Sequence, residues 1–359
     1  MKTTELKETK LKRLNSVLGV AFFATAIAGC GGGQTSGAGG ALPQDSAGRL
    51  ELTMARYVPA AVKPDRHASY MSPDAKKKGA LLYAGDWATN DVRVYDYPSG
   101  KQVGTLTGFD APYGMCVDAK GDIYISNFYS GTAVEYAHGG TSVVNTYTGV
   151  GEPIGCAVDA KGDLAVTSFN PGAVTVFAGG DPSKETTYTG PCEFQWPMGY
   201  DGKGNLIGIG EQQTDAISAC ALLAGSQSIT VLSGCCTGPI SIDFPGGTMW
   251  DGKYIALGDQ EFGGTFGTGV YQATLSGTTL TMKGSTPLEG CTSSYGDVSP
   301  FILGKKNTPA NHKQAKVVVG ADGGCTSGSI GLWHYPAGGL PFKEIANLSI
   351  ASVGAVSLR

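Results

Sequence analysis

The feature that most constrains this chain is a turn that keeps coming back. Pro112-Tyr113-Gly114-Met115-Cys116-Val117-Asp118-Ala119-Lys120-Gly121-Asp122-Ile123 is followed 41 residues later by Pro153-Ile154-Gly155-Cys156-Ala157-Val158-Asp159-Ala160-Lys161-Gly162-Asp163-Leu164. A third copy, Pro197-Met198-Gly199-Tyr200-Asp201-Gly202-Lys203-Gly204-Asn205-Leu206, begins 44 residues further on with a shortened turn. Looser copies stand at Ser72–Tyr83 and at Trp250–Ala256. A last, degenerate one runs near Asp297–Leu303 and resumes at Lys316–Gly320 after an inserted loop, Gly304–Gln314. That makes six units. A period of 40 to 50 residues signals one supersecondary unit repeated in an array or a ring.

Each unit reads as four short strands. An apolar run ends at Asp, a glycine turn follows, and a second apolar run leaves it. Asp bonds its own backbone in such turns and Gly tolerates positive φ. A third run alternates with period two, as in Val92-Arg93-Val94-Tyr95, Val134-Glu135-Tyr136, Val174-Thr175-Val176-Phe177 and Gly331-Leu332-Trp333-His334-Tyr335. A fourth, such as Ser142–Tyr147, closes the unit. With 56 glycines in 359 residues and only 16% charged side chains, helical repeats and coiled coils are excluded. Four strands per unit of this length predict an all-β protein, a six-bladed β-propeller of four-stranded antiparallel blades.

The Pro-x-Gly-x-x-Val-Asp, x-x-Gly frame resembles NHL-type six-bladed propellers over about residues 70 to 345, and the gluconolactonase-like propellers that share the blade motif. A propeller must close its ring. Val353-Gly354-Ala355-Val356-Ser357 is similar to Gly155-Cys156-Ala157-Val158-Asp159, so the C-terminal strand is expected innermost in blade 1. The competing closure uses residues near Arg66 to Met71.

Ahead of the repeats lies an address. Residues 1–13 carry Lys2, Lys7, Lys10, Lys12 and Arg13, and Val17–Ile27 is apolar but short for a bilayer span. Ile27-Ala28-Gly29-Cys30 resembles the lipobox of bacterial lipoproteins, which implies cleavage before Cys30 and lipid on its sulfur. Residues 1–29 are thus expected to be a lipoprotein signal peptide, 30–50 a Gly/Ser/Ala-rich tether and 51–359 the propeller domain. An exported protein, anchored in the membrane through Cys30, follows. Gly31 stands where many Gram-negative lipoproteins carry a retention Asp, which points to the outer membrane in such a cell. Removing the leader takes away five basic and two acidic residues and leaves 21 basic against 28 acidic, a net charge of −7. Nucleic acid is not an expected partner of such a chain. A monomer is expected.

Eight cysteines remain, an even number that suggests disulfides in an exported protein. Cys192, Cys220, Cys235, Cys236, Cys291 and Cys325 are the disulfide candidates, placed by the repeat in or beside long loops at one end of the ring. Cys116 and Cys156, on innermost strands of adjacent blades, read equally as a bond or as free thiols.

That same loop end is where propellers usually bind. Aligned blade by blade, it offers Asp86, Trp87, Asn127, Phe128, Glu211, Asp259 and Asp322, with Tyr113 at the channel mouth. Aromatics among amides and carboxylates suit a polar small molecule or a protein. None of the four histidines falls there, which weighs against a histidine general base. The resemblance to gluconolactonase-like enzymes implies, as a second reading, a metal-dependent hydrolase or lactonase. Where that family often places a metal-binding Asn in Pro-x-Gly, this chain has Tyr113, Ile154 and Met198. No cofactor is required. Asp86, Asn127, Glu152, Glu211, Asp259 and Asp322 are oxygen donors of the kind calcium takes.

Overall fold

The computed structural model describes residues 68–86, 89–194, 196–212, 216–242, 244–260, 262, 268–290, 301–304, 314–322, 329–346 and 351–358. The expected leader and tether and Cys30 lie outside them, as do Trp87, Cys291 and Cys325. These residues form six antiparallel sheets arranged as the blades of a propeller.

Blade 2 shows the unit at its most regular: Pro112–Val117, Ile123–Asn127, Thr132–Tyr136 and Val143–Tyr147, each paired with the next. Blade 3 repeats it with Pro153–Val158, Leu164–Ser168, Ala173–Phe177 and Glu185–Thr189. Blade 5 does so with Pro245–Trp250, Ile255–Asp259, Thr268–Ser276 and Thr279–Leu288, and blade 6 with Phe301–Gly304, Val317–Asp322, Ser329–His334 and Lys343–Ala346. In blade 4 the innermost strand is split into Cys192–Phe194 and Gly199–Tyr200, both on Leu206–Gln212; Ile217–Leu222 and Ile229–Val231 follow. Pro197 sits in the gap, where a proline has no N–H to give the ladder.

Blade 1 closes the ring as expected. Ala351–Leu358 pairs with Ala80–Asp86 as the innermost strand, followed outward by Asp91–Asp96 and Lys101–Leu106. The competing segment goes to the opposite edge: Tyr70–Met71 pairs with Gly104 and Thr105 on the outermost strand.

The repeated turn has one geometry. Asp118 Oδ1 accepts from the N–H of Lys120 (2.8 Å) and of Asp122 (2.9 Å), while Gly121 takes φ +90°. Asp159 does the same with Lys161 and Asp163, and Asp201 with Lys203 and Asn205, at the same distances. The last residue of the motif then reaches the turn between the third and fourth strands of its own blade. Asp122 Oδ1 accepts from His138 N, Asp163 Oδ1 from Gly179 N and Asn205 Oδ1 from Ala224 N.

The core is divided among the blade interfaces. Successive residues of a strand point to opposite faces, so each second strand serves two clusters. Leu81 and Tyr83 pack toward blade 2 with Met115, Ile123 and Ile125, while Leu82 and Ala84 pack toward blade 6 with Val319, Ile330 and Leu332. Leu164 and Val166 join blade 2, whereas Ala165 joins blade 4. This is why the second strands of blades 2 and 3 are buried at every position.

Candidate binding face

The glycine of Pro-x-Gly brings neighbouring blades together at the centre. A Cβ on Gly114 would meet Ile154 O at 2.4 Å and the Cα of Gly155 at 2.6 Å. A Cβ on Gly155 would meet Pro197 Cβ at 2.6 Å, and one on Gly199 would meet Thr248 O at 2.5 Å. The motif thus packs innermost strand against innermost strand. Cys116 and Cys156 are disulfide-bonded across this contact, joining blades 2 and 3. Cys192 and Cys220 are bonded within blade 4, and Cys235 and Cys236 to each other. The sequence reading put Cys192 in a connection between blades; it starts the innermost strand of blade 4, because the break at Pro197 pushes that strand's beginning upstream. Cys220 lies inside the third strand rather than in a loop. Cys235 and Cys236 do lie in the connection from blade 4 to blade 5.

On the loop end of blades 2, 3 and 5, the turn after the second strand is tied to the connection entering the same blade. Phe128 N donates to Ala111 O (3.1 Å), Phe169 N to Glu152 O (2.8 Å) and Gln260 N to Phe244 O (2.7 Å). Side chains lock these pairs. Asn127 Oδ1 accepts from Asp110 N, and Asn90 Oδ1, from blade 1, accepts from Ala111 N at 2.8 Å. Asn90, Asp110 and Ala111 were not singled out from sequence; the positive φ of Asn90 (55°) and Ala111 (57°) is a backbone property that their residue types do not announce.

The sequence-derived residues fall into two groups. Asp86, Asn127, Asp259 and Asp322 end the second strands of blades 1, 2, 5 and 6, and Glu211 stands one residue before the end of that strand in blade 4. Asp86, Asn127, Glu211 and Asp259 are buried, so they brace the ring more than they face solvent. Asp86 ion-pairs with Arg93 at 3.0 Å, and Asp259 Oδ1 accepts from Phe244 N at 3.2 Å. Among the described residues no three His, Cys, Asp or Glu side chains gather around a point that one metal ion could occupy.

The second group is aromatic. Tyr113 and Phe128, each 6% exposed, pack together with Ala111, Ile154 and Phe169 at the mouth of blades 2 and 3. Ring centroids lie 6.3 Å apart for Tyr113–Phe128 and 6.4 Å for Phe128–Phe169. Burial pushes the Tyr113 phenol up to about 12. Tyr129 stands edge-on to Phe128 at 5.2 Å and is 39% exposed. Its phenol is raised by partial burial first, and then by the charges of Asp110 and Glu152 beside it. What faces solvent here is therefore a tyrosine on a buried aromatic base, flanked by two carboxylates.

No protein-family model matches this sequence, and no curated protein matches it. Solved structures do match in fold. A chain of the nidogen/laminin complex aligns with a TM-score of 0.55 at 14% identity, over 78% of this chain and 98% of that one. A protein of unknown function from Bacteroides caccae gives 0.51 at 10% identity, over 77% and 98%. TolB from Acinetobacter baumannii gives 0.50 at 15% identity, over 78% and 67%. At such identities the likeness is one of fold, and the fold is the six-bladed β-propeller.

Proposed function

We propose that this chain is an exported, lipid-anchored propeller that works as a binding or interaction module rather than as an enzyme. The observation that carries the reading is Tyr129. A rigid, amphipathic ring with little conformational entropy left to lose is the kind of group that dominates binding surfaces. Asp110 and Glu152 add charge that selects what approaches it. The carboxylates and amides around the ring support the same reading, since Asp86, Asn127 and Asp259 are engaged by the scaffold itself. One fold neighbour, the nidogen/laminin complex, is by its name a complex of two proteins. The lipobox-like Cys30 and the glycine-rich tether support display of the domain from a membrane, outer in a Gram-negative cell.

Two variants test the proposal in the native cell. Cys30→Ser is expected to leave the chain without lipid and in the soluble fraction. A photo-crosslinking amino acid in place of Tyr129 is expected to give a discrete adduct, and one in place of Met282, exposed on the outermost strand of blade 5, is expected to give none. A membrane-bound Cys30→Ser chain overturns the anchor. Equal labelling from both sites, or none from Tyr129, overturns the binding face.

A further inference from the structure

Between blades 3 and 4, at the end of the ring opposite the loop face, the Asp-x-x-Gly turns border a cleft of about 340 Å³. Tyr200 and Tyr188 line it, over Val176 and Leu222, and Asp159 and Asp163 stand on one side. Asp159, Asp163 and Tyr200 belong to the repeated turn.

Tyr200 is 8% exposed and lines the cleft, yet among the described residues its hydroxyl has no hydrogen-bond partner. A buried phenol ordinarily finds a partner for its polar end. Each neighbouring aspartate has one oxygen committed. Asp159 Oδ1 holds the two N–H groups of its turn, and Asp163 Oδ1 holds Gly179 N at 2.7 Å. Among the described residues, the Oδ2 atoms of both carry no hydrogen bond. Two bonds tie these residues together: Asp159 N donates to the main-chain Asp163 O at 3.1 Å, and Asp163 N donates to the carboxylate Asp159 Oδ1 at 2.9 Å, so their carboxylates belong to one turn. Their charges reach the Tyr200 hydroxyl and, after burial itself, hold its proton on.

We infer that this cleft takes a basic side chain of a partner protein, with arginine the best fit. Two ionised oxygens offer only acceptors, and a guanidinium offers only donors, in a planar fork. The tyrosine rings add the aromatic surface on which that plane stacks, and the phenol oxygen of Tyr200 accepts one more N–H. An anion is turned away by the same two carboxylates. Lys161 and Lys203 also line the cleft and are exposed. The inference stands independently of what Tyr129 binds at the other end.

The test is calorimetric titration of the full chain with acetyl-Gly-Arg-Gly-amide, and with the Gln and Glu counterparts as probes of charge. The arginine peptide is expected to bind and the other two are not. Asp163→Asn keeps an oxygen for Gly179 N, and Tyr200→Phe removes only the hydroxyl. Each is expected to weaken the arginine peptide by about fivefold or more at an unchanged melting temperature, and added salt weakens it in the parent chain. If one variant fails to fold, the other decides. Equal binding of the Arg and Gln peptides, an affinity that neither substitution changes, or binding of methyl glucoside in place of the arginine peptide overturns the proposal.

Discussion

Single residues set how closely the blades approach. Gly114 matters because its missing Cβ makes room for the main chain of the next blade, Ile154 O and Gly155 Cα, and main chain cannot swing aside. Gly114→Ala is therefore expected to cost about 1–3 kcal/mol, as overpacking does elsewhere. Gly79→Ala, with nothing within 4 Å of the new methyl, should change stability by about 0.5 kcal/mol at most. Denaturant unfolding of both variants checks this; equal stabilities would mean that the inner strands are not in contact. Buried phenols give a second reading at this scale. Burial pushes Tyr83, Tyr97 and Tyr113 each up to about 12, against about 10 in an unfolded chain. The folded state holds these protons more tightly, so their contribution is complete below pH about 10 and disappears as pH climbs toward 12. Tyrosinate absorbance should rise together with loss of the β circular-dichroism signal. Full ionisation of all tyrosines near pH 10 in an intact fold would contradict the burial.

At the scale of the element, the turn motif was readable because its chemistry is local. Asp118, Asp159 and Asp201 each bond N–H groups two and four residues ahead, and a local bond leaves a local signature. The bond between Cys116 and Cys156 was harder, since it depends on a partner far along the chain. Cys116 and Cys156 are 40 residues apart in sequence and meet only because Gly114 and Gly155 let two blades touch. The bond closes a long loop in the unfolded chain and fixes blade 2 to blade 3. Replacing both cysteines by serine is expected to lower stability by about 2–4 kcal/mol while the folded circular-dichroism spectrum stays the same. A pair with no effect on the unfolding midpoint would mean the blades hold without it. Closure by Ala351–Leu358 was legible for the opposite reason: a ring needs one more inner strand, and the C-terminal segment repeats the inner-strand pattern.

For the whole molecule, the period of the repeat carried most of the architecture and little of the site. Blade number, strand order and the loop end follow from counting. Which side chains at that end face solvent does not, because Asp86, Asn127 and Phe128 look like surface groups in sequence and are buried by neighbouring blades. Tyr129, one residue beyond Phe128, is the exposed one. The Tyr200 cleft was hidden in the repeat itself, since the carboxylates that build the turns also line it. The proposed role is that of a tethered propeller that binds rather than catalyses with a metal. The measurement that tests this most directly is metal analysis of the full chain, purified without chelator, beside its melting temperature with and without chelator. The account predicts no stoichiometric calcium or zinc and an unchanged melting temperature. About one divalent ion per chain, with a melting temperature that falls on chelation, would contradict it and favour the metal-dependent hydrolase.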